Sequence, residues 1–143
     1  MPEFPNKKLK SIVAAFLLMI VGVGWAQPLY SPGGFLSPEM AFPVTVKWEN
    51  NQMVVTFDIQ PGYALYRSHI AIKEQNHNLP WTAEGTLYNK NEPDALQYQG
   101  ALQIAVSLKK IPYNAPIRIS WQGCSLRGLC YPPQSTTVHR PDS

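Results

Sequence analysis

The sequence predicts an all-β protein, an antiparallel β-sandwich, and three observations predict it. Apolar residues recur with period two in several short runs. Pro, Gly and Asn separate those runs, with 14 prolines and 9 glycines spread along the chain. After Gln27 no stretch shows a capped 3.6-residue pattern. Short strands of this kind fit an immunoglobulin-like sandwich better than a closed barrel.

The chain starts with a different kind of segment. Lys7, Lys8 and Lys10 precede an apolar run from Ile12 to Val23, and Gly24-Trp25-Ala26 sets small residues before a cut ahead of Gln27. A positive start, a short apolar core and a small-x-small site describe a secretory signal peptide over residues 1–26. The rival reading, a membrane anchor, needs an apolar run of ~20 residues, longer than this one. Removing those 26 residues from 143 leaves 117, enough for one domain. They carry three of the 12 basic residues and one of the 9 acidic ones, so the remainder holds nine against eight. That balance leaves no basic cluster for nucleic acid or an anionic membrane surface. The expectation is an exported, soluble domain.

Residues 27–38, rich in Pro, Gly and Ser, read as an irregular lead-in to a domain spanning 39–143. Val44, Val46 and Trp48 alternate with Thr45, Lys47 and Glu49, and Asn50-Asn51 offers a turn. Met53, Val55, Phe57 and Ile59 form the next apolar face, ended by Pro61-Gly62. His69 to Glu74 alternates around Ile70 and Ile72. Further faces are Leu102, Ile104, Val106 and Leu108, then Ile117, Ile119 and Trp121, with Thr136 to Val138 closing the sheet. Thr82 to Gly100 fits no strand pattern and reads as a long flap, with part of it a short hairpin.

The two cysteines lie in one short segment, Gln122-Gly123-Cys124-Ser125-Leu126-Arg127-Gly128-Leu129-Cys130-Tyr131-Pro132-Pro133. Ser125 to Leu129 can turn the chain, with Gly128 free to take positive φ. The sulfurs then face each other across the mouth of a hairpin, where a disulfide can form. If Ile117, Ile119 and Trp121 face the core, Cys124 has the opposite parity and the pair lies near the surface, unless a bulge at Gly123 reverses it. A structural clip over so short a loop stabilises by about 2 kcal/mol. Flanking glycines, surface placement and a nearby flap suit thiol exchange, which needs access for an incoming thiolate. From the residues alone, clip and redox couple stand level. No His or third Cys stands at zinc-site spacing, so no metal or other cofactor is expected. His69, His77 and His139 are scattered, without triad or metal spacing. Arg127 is either an exposed loop residue or a cation beside the thiols.

The Gly-Cys-x5-Cys-Tyr-Pro-Pro run resembles the active-site hairpin of the N-terminal periplasmic domain of the DsbD thiol:disulfide interchange family. Gly62-Tyr63-Ala64-Leu65-Tyr66-Arg67 is similar to a second element of that domain, and Leu87-Tyr88-Asn89-Lys90 falls at its cap loop. The resemblance runs from about Phe35 to Val138. It implies an immunoglobulin-like fold with a cap loop over a hairpin disulfide, in the periplasm. It implies a thiol:disulfide oxidoreductase of the protein-disulfide reductase type. Electrons would arrive from a thioredoxin-like donor, itself fed by a membrane transporter, and leave to a periplasmic disulfide isomerase or cytochrome c maturation partners. Cys130 would link to partners and Cys124 would resolve the mixed disulfide. Tyr63 and Tyr66 would pack beside the pair, and Leu87 and Tyr88 would cover it. Two departures stand out: Leu87 replaces the family's cap aromatic, and Gly85-Thr86 stand where acids are usual. Family members also usually continue into a membrane domain and a thioredoxin-like domain, so the expectation is a free-standing version or one piece of a larger system. The rival function is a periplasmic binding or assembly module in which the disulfide only ties a hairpin.

Overall fold

The computed structural model describes residues 30–31 and 33–141; the predicted signal peptide and the first residues of the lead-in lie outside the described residues. Two short strands, β1 (Tyr30–Ser31) and β2 (Phe35–Leu36), pair with each other, and a single helical turn, α1 (Pro38–Ala41), follows. The lead-in is therefore ordered as a small hairpin where it is described.

The Asn50-Asn51 turn joins β3 (Val44–Glu49) to β4 (Gln52–Asp58). Both asparagines take positive φ, 50° and 59°, as a tight two-residue hairpin turn demands. β5 (Tyr63–Tyr66), β6 (Ala71–Glu74) and the short β7 (His77–Asn78) come next. β8 (Thr82–Tyr88) leads into β9 (Gln97–Ser107), and then come β10 (Pro116–Trp121), β11 (Gly123–Ser125) and β12 (Gln134–His139).

Two main sheets result. The larger runs β11-β5-β9-β4-β3 with β8 also on β9; the smaller runs β12-β10-β6-β7. Neighbouring strands in these two sheets pair antiparallel. The fold is an immunoglobulin-like antiparallel sandwich. Its core is the set of alternating residues that the period-two pattern marks: Met53, Val55 and Phe57 from β4, Leu102, Ile104 and Val106 from β9, and Ile117 and Ile119 from β10. Phe57 and Trp121 meet edge to face across the two sheets, with ring centroids 5.2 Å apart. Burying each large aliphatic side chain contributes roughly 1.5–3 kcal/mol.

β9 carries the architecture. β8 pairs with it from Gln97 to Ala105, while its other edge is shared between β5, at Gln97 and Tyr98, and β4, from Ala101 to Ser107. The handover falls at Gly100, whose φ of 75° bends the strand. Here the structure corrects the expected flap. Thr82 to Gly100 is mostly two paired strands, and only residues 89–96 connect them. A bulge between Gly85 and Thr86 and the bend at Gly100 break the alternation, which hid the strands from a period-two reading. β5 was also concealed, because Tyr63, Ala64 and Leu65 are all buried and show no alternation.

At the far end of β9 from β5, Arg140 ties three segments together. Its guanidinium donates to the carbonyls of Leu108 and Ile111 at 3.3 and 3.2 Å, and to Asn51 Oδ1 at 2.6 Å. It also stacks 4.0 Å over Tyr113.

The facing rule on β9 has a direct test. Ile104→Val is expected to cost about 0.5–1.5 kcal/mol in urea unfolding, whereas Gln103→Thr, one residue along on the exposed face, is expected to stay within about 0.5 kcal/mol. Equal costs would contradict the facing assigned to this strand.

Candidate functional site

The site begins where the chain changes sheets. β10 ends at Trp121 in the smaller sheet, and β11 starts at Gly123 on the edge of the larger one, beside β5. Gln122 spans the step, its carbonyl accepting the Tyr66 N–H at 3.2 Å. Glycine is required at 123 for space: a Cβ there would overlap the ring of Phe42 in the core. Gly123 thus faces inward, and strand alternation turns Cys124 outward and Ser125 inward.

The chain then turns through Leu126 to Leu129, with Gly128 at φ 105°, and returns alongside β11. Ser125 N–H donates to the Leu129 carbonyl at 2.7 Å, and Tyr131 N–H donates to the Gly123 carbonyl at 3.0 Å. These bonds bracket Cys124 and Cys130, which therefore form a non-hydrogen-bonded antiparallel pair. That is the pairing in which opposed residues approach most closely, and here the Cα atoms lie 4.0 Å apart. The two sulfurs are joined as a disulfide.

The two cysteines differ in access. Cys124 sits between β5 and the returning chain and is only 6% exposed. Cys130 lies at the open edge and is exposed. Surface placement, expected from parity for the pair, describes Cys130; Cys124 points to the outer face but is enclosed by its neighbours. Around Cys130 the rim is apolar, with Leu126 and Leu129 exposed by 53% and 37% and Pro132 and Pro133 also in water.

The four residues expected to surround the pair divide between the two faces of the sheet. Cys124 lies opposite Ala64, so Tyr66, two residues along β5, shares its face. Tyr66 lies opposite Gln97, and Gln97 opposite Tyr88, which places Tyr88 on that same outer face. Tyr88 is 45% exposed and lines a shallow groove with Thr86, Gln99, Gly62 and Tyr63. Leu87 lies opposite Tyr98 and packs against the core, on the other side of the sheet from the disulfide. Tyr63 likewise turns inward, behind the strand that carries Ala64.

What Tyr63 does there was not legible in the sequence. It stacks on Tyr131 with ring centroids 6.3 Å apart, and Phe42 meets both rings edge-on. Leu36 N–H donates to the Tyr63 hydroxyl at 2.7 Å, and the Tyr131 hydroxyl donates to the Leu36 carbonyl. The two phenols thus clasp one residue of the lead-in hairpin, Leu36, by its N–H and its carbonyl. Burial pushes the Tyr131 phenol up from 10.0 to about 12, helped by a hydrogen bond and electrostatic interaction with Tyr63 and opposed by the Arg127 charge. Arg127 lies inside the disulfide loop. Its guanidinium donates to the Gly34 carbonyl at 3.3 Å and stacks 4.3 Å over the Phe35 ring. The one sequence signal for this clasp was that Tyr131 directly follows Cys130.

Residues 33–141 match the family described as thiol:disulfide interchange protein DsbD, N-terminal. Among full-length relatives, the DsbD of Colwellia psychrerythraea is 33% identical over 107 residues, covering 73% of this chain and 18% of the relative. DsbD 2 of Pseudomonas aeruginosa is 29% identical over 153 residues, covering 91% of this chain and 24% of the relative. The chain thus spans about a fifth of the length of such relatives. Among solved structures, the reduced DsbD N-terminal domain of Neisseria meningitidis is similar at a TM-score of 0.62 and 26% identity, covering 73% of this chain and 87% of that one. A second structure, the same Neisseria meningitidis domain in complex with the PilB N-terminal domain, is similar at a TM-score of 0.57 and 23% identity, covering 73% and 85%. At that identity the second likeness speaks for the fold.

Two outcomes follow from the packing. Gly123→Ala is expected to destabilise by about 1–3 kcal/mol in denaturant unfolding, because the Phe42 ring must move. The phenol gives a pH dependence. The fold favours neutral Tyr131, while the unfolded chain ionises it at the ordinary 10.0. Its contribution is therefore complete below pH 10 and is lost as pH rises toward 12. Thermal melts across that window should decline more steeply for the parent than for Tyr131→Phe; parallel declines would contradict the assignment.

Proposed function

The chain belongs to the family of DsbD N-terminal domains, and on that premise we propose that Cys124 and Cys130 form a working dithiol–disulfide couple. The observation that carries this reading is the unequal access of the two sulfurs within one cross-strand pair. An exposed cysteine can receive a partner, and an enclosed one beside it can close the bond afterwards.

In the reduced form, the Cys130 thiolate attacks one sulfur of a partner disulfide. The partner's S–S bond breaks, a mixed disulfide forms, and the partner's other sulfur leaves as a thiolate that takes up a proton. Cys124 then loses its proton and attacks Cys130. The mixed disulfide breaks, Cys124–Cys130 forms, and the partner's second sulfur leaves and is protonated. The partner gains two electrons and two protons, and this pair is oxidised. A thioredoxin-like donor, reduced through a membrane transporter, would reverse the sequence to recharge the pair. This is a thiol:disulfide oxidoreductase of the reductase type, working in the periplasm. Its acceptors would be thioredoxin-like proteins of disulfide isomerisation or cytochrome c maturation. That a Neisseria meningitidis domain of this fold meets a second protein domain in a complex supports a protein partner.

Access to Cys130 suits such a partner. Leu126 and Leu129 offer apolar contact beside it, and Pro132 and Pro133 withhold amide donors from the adjoining edge. Tyr88 and Tyr66 share the outer face of the sheet with the disulfide and would help to shield it. Leu87 would contribute from the core side, by holding β8 in register.

Trapping tests the division of labour. Cys124→Ser leaves Cys130 without its resolving thiol, so periplasmic extract should yield discrete covalent adducts that reductant releases. Cys130→Ser should yield almost none, and should abolish electron transfer to those partners with little change in folding. No specific adduct from folded Cys124→Ser protein with a free Cys130 would favour a structural hairpin clip.

A further inference from the structure

The peptide from Gly34 to Leu36 is gripped by three side chains that border the disulfide. Tyr131 adjoins Cys130, Tyr63 lies opposite Ser125, and Arg127 comes from within the loop that the disulfide closes. The rest of that loop is held through its backbone N–H groups, one of them by a long-range bond. Leu126 N–H donates to the Gly62 carbonyl at 2.8 Å, Gly128 N–H to the Ser125 carbonyl at 3.0 Å, and Arg127 N–H to Ser125 Oγ at 3.1 Å. Arg127 supplies the only polar side chain between Ser125 and Cys130, and it reaches 93 residues back along the chain.

We infer that Arg127 is a positioning residue: stacked on Phe35 and bonded to Gly34, it anchors the loop so that Cys124 and Cys130 stay opposed when no covalent bond joins them. This rests on the pair being a redox couple. The physical argument concerns the dithiol state. With the disulfide closed, the covalent tie restricts the loop whatever Arg127 does. Once the disulfide is reduced, only non-covalent contacts hold Cys130 across from Cys124. A loop already held in place loses less freedom when the disulfide reforms, so an anchored pair has a higher effective concentration of one thiol at the other. Arginine suits the task, because its planar group can stack on a ring and donate to a carbonyl together.

Glutathione equilibrium measures this without any protein partner. The protein disulfide and two glutathione thiols exchange for the protein dithiol and one glutathione disulfide. The Cys124–Cys130 bond breaks, a glutathione S–S bond forms, and two electrons and two protons pass to the protein. The constant for the reverse, oxidising direction is the effective concentration of the pair, and it is the constant compared among the variants. Arg127→Ala and Phe35→Leu are each expected to lower it by about two- to fivefold, the range of an exposed to partly desolvated cation–π contact. Arg127→Lys, which keeps the charge and loses the planar group, should fall between parent and Arg127→Ala. Because Arg127 and Phe35 share one contact, the double variant should drop less than the two single effects multiplied.

A side chain that merely stabilises the domain would shift the melting temperature of both redox forms and leave this constant alone. Parent-like constants in all three single variants would overturn the inference, as would single effects that multiply in full. If Arg127→Ala fails to fold, Phe35→Leu and Arg127→Lys carry the test. Unchanged constants with partner adducts still trapped would sink the positioning role alone. Lowered constants with no adducts would sink the partner-exchange reading and leave the positioning role standing.

Discussion

Between Trp121 and Gly123 the chain leaves one sheet for the other, and the site depends on that step. β10 delivers Trp121 to the core against Phe57, which sets the strand's facing. Gln122 bridges to Tyr66, and Gly123 lets Phe42 lie against the backbone. From there the facing of Cys124 is determined, because alternation along a strand allows two directions and the inward one is taken on either side. A residue with a side chain at 123 would push Phe42 away and disturb the aromatic floor beneath the loop.

That floor joins distant parts of the molecule. Phe42 follows the first helical turn, Tyr63 opens β5, and Tyr131 follows Cys130, yet their rings meet in one cluster. The Tyr63 and Tyr131 hydroxyls converge on Leu36 of the lead-in hairpin, so the start of the described chain belongs to the site's foundation. The opposite face is the outer one. Tyr66, Tyr88, Gln97 and Gln99 lie there, together with the disulfide. One sheet thus separates support from access.

Much of the fold was legible as alternation. β3, most of β9 and β10 alternate in burial, β4 alternates in sequence although Val54 on its outer face is buried too, and Asn50-Asn51 announced its turn through residues that tolerate positive φ. β5 and β8 were not legible. β5 is buried on both faces, so its residues do not alternate, and β8 carries a bulge where its register shifts. The cysteine pair was visible through spacing alone. Its surroundings were not, because facing at Leu87 and Tyr88 depends on registers across β5, β9 and β8 that no local pattern records.

By itself the sequence determined the sandwich, the turn chemistry and the closeness of the two cysteines. These rest on local physics: the period of apolar residues, the φ freedom of Gly and Asn, and a loop too short to separate its ends. Only the tertiary structure decided which sulfur is enclosed and which is open, that Tyr131 and Tyr63 turn away from the disulfide, and that Arg127 reaches Phe35. Each of those depends on which strand lies beside which. Strand neighbours are chosen by burial summed over the whole core, which no short segment carries.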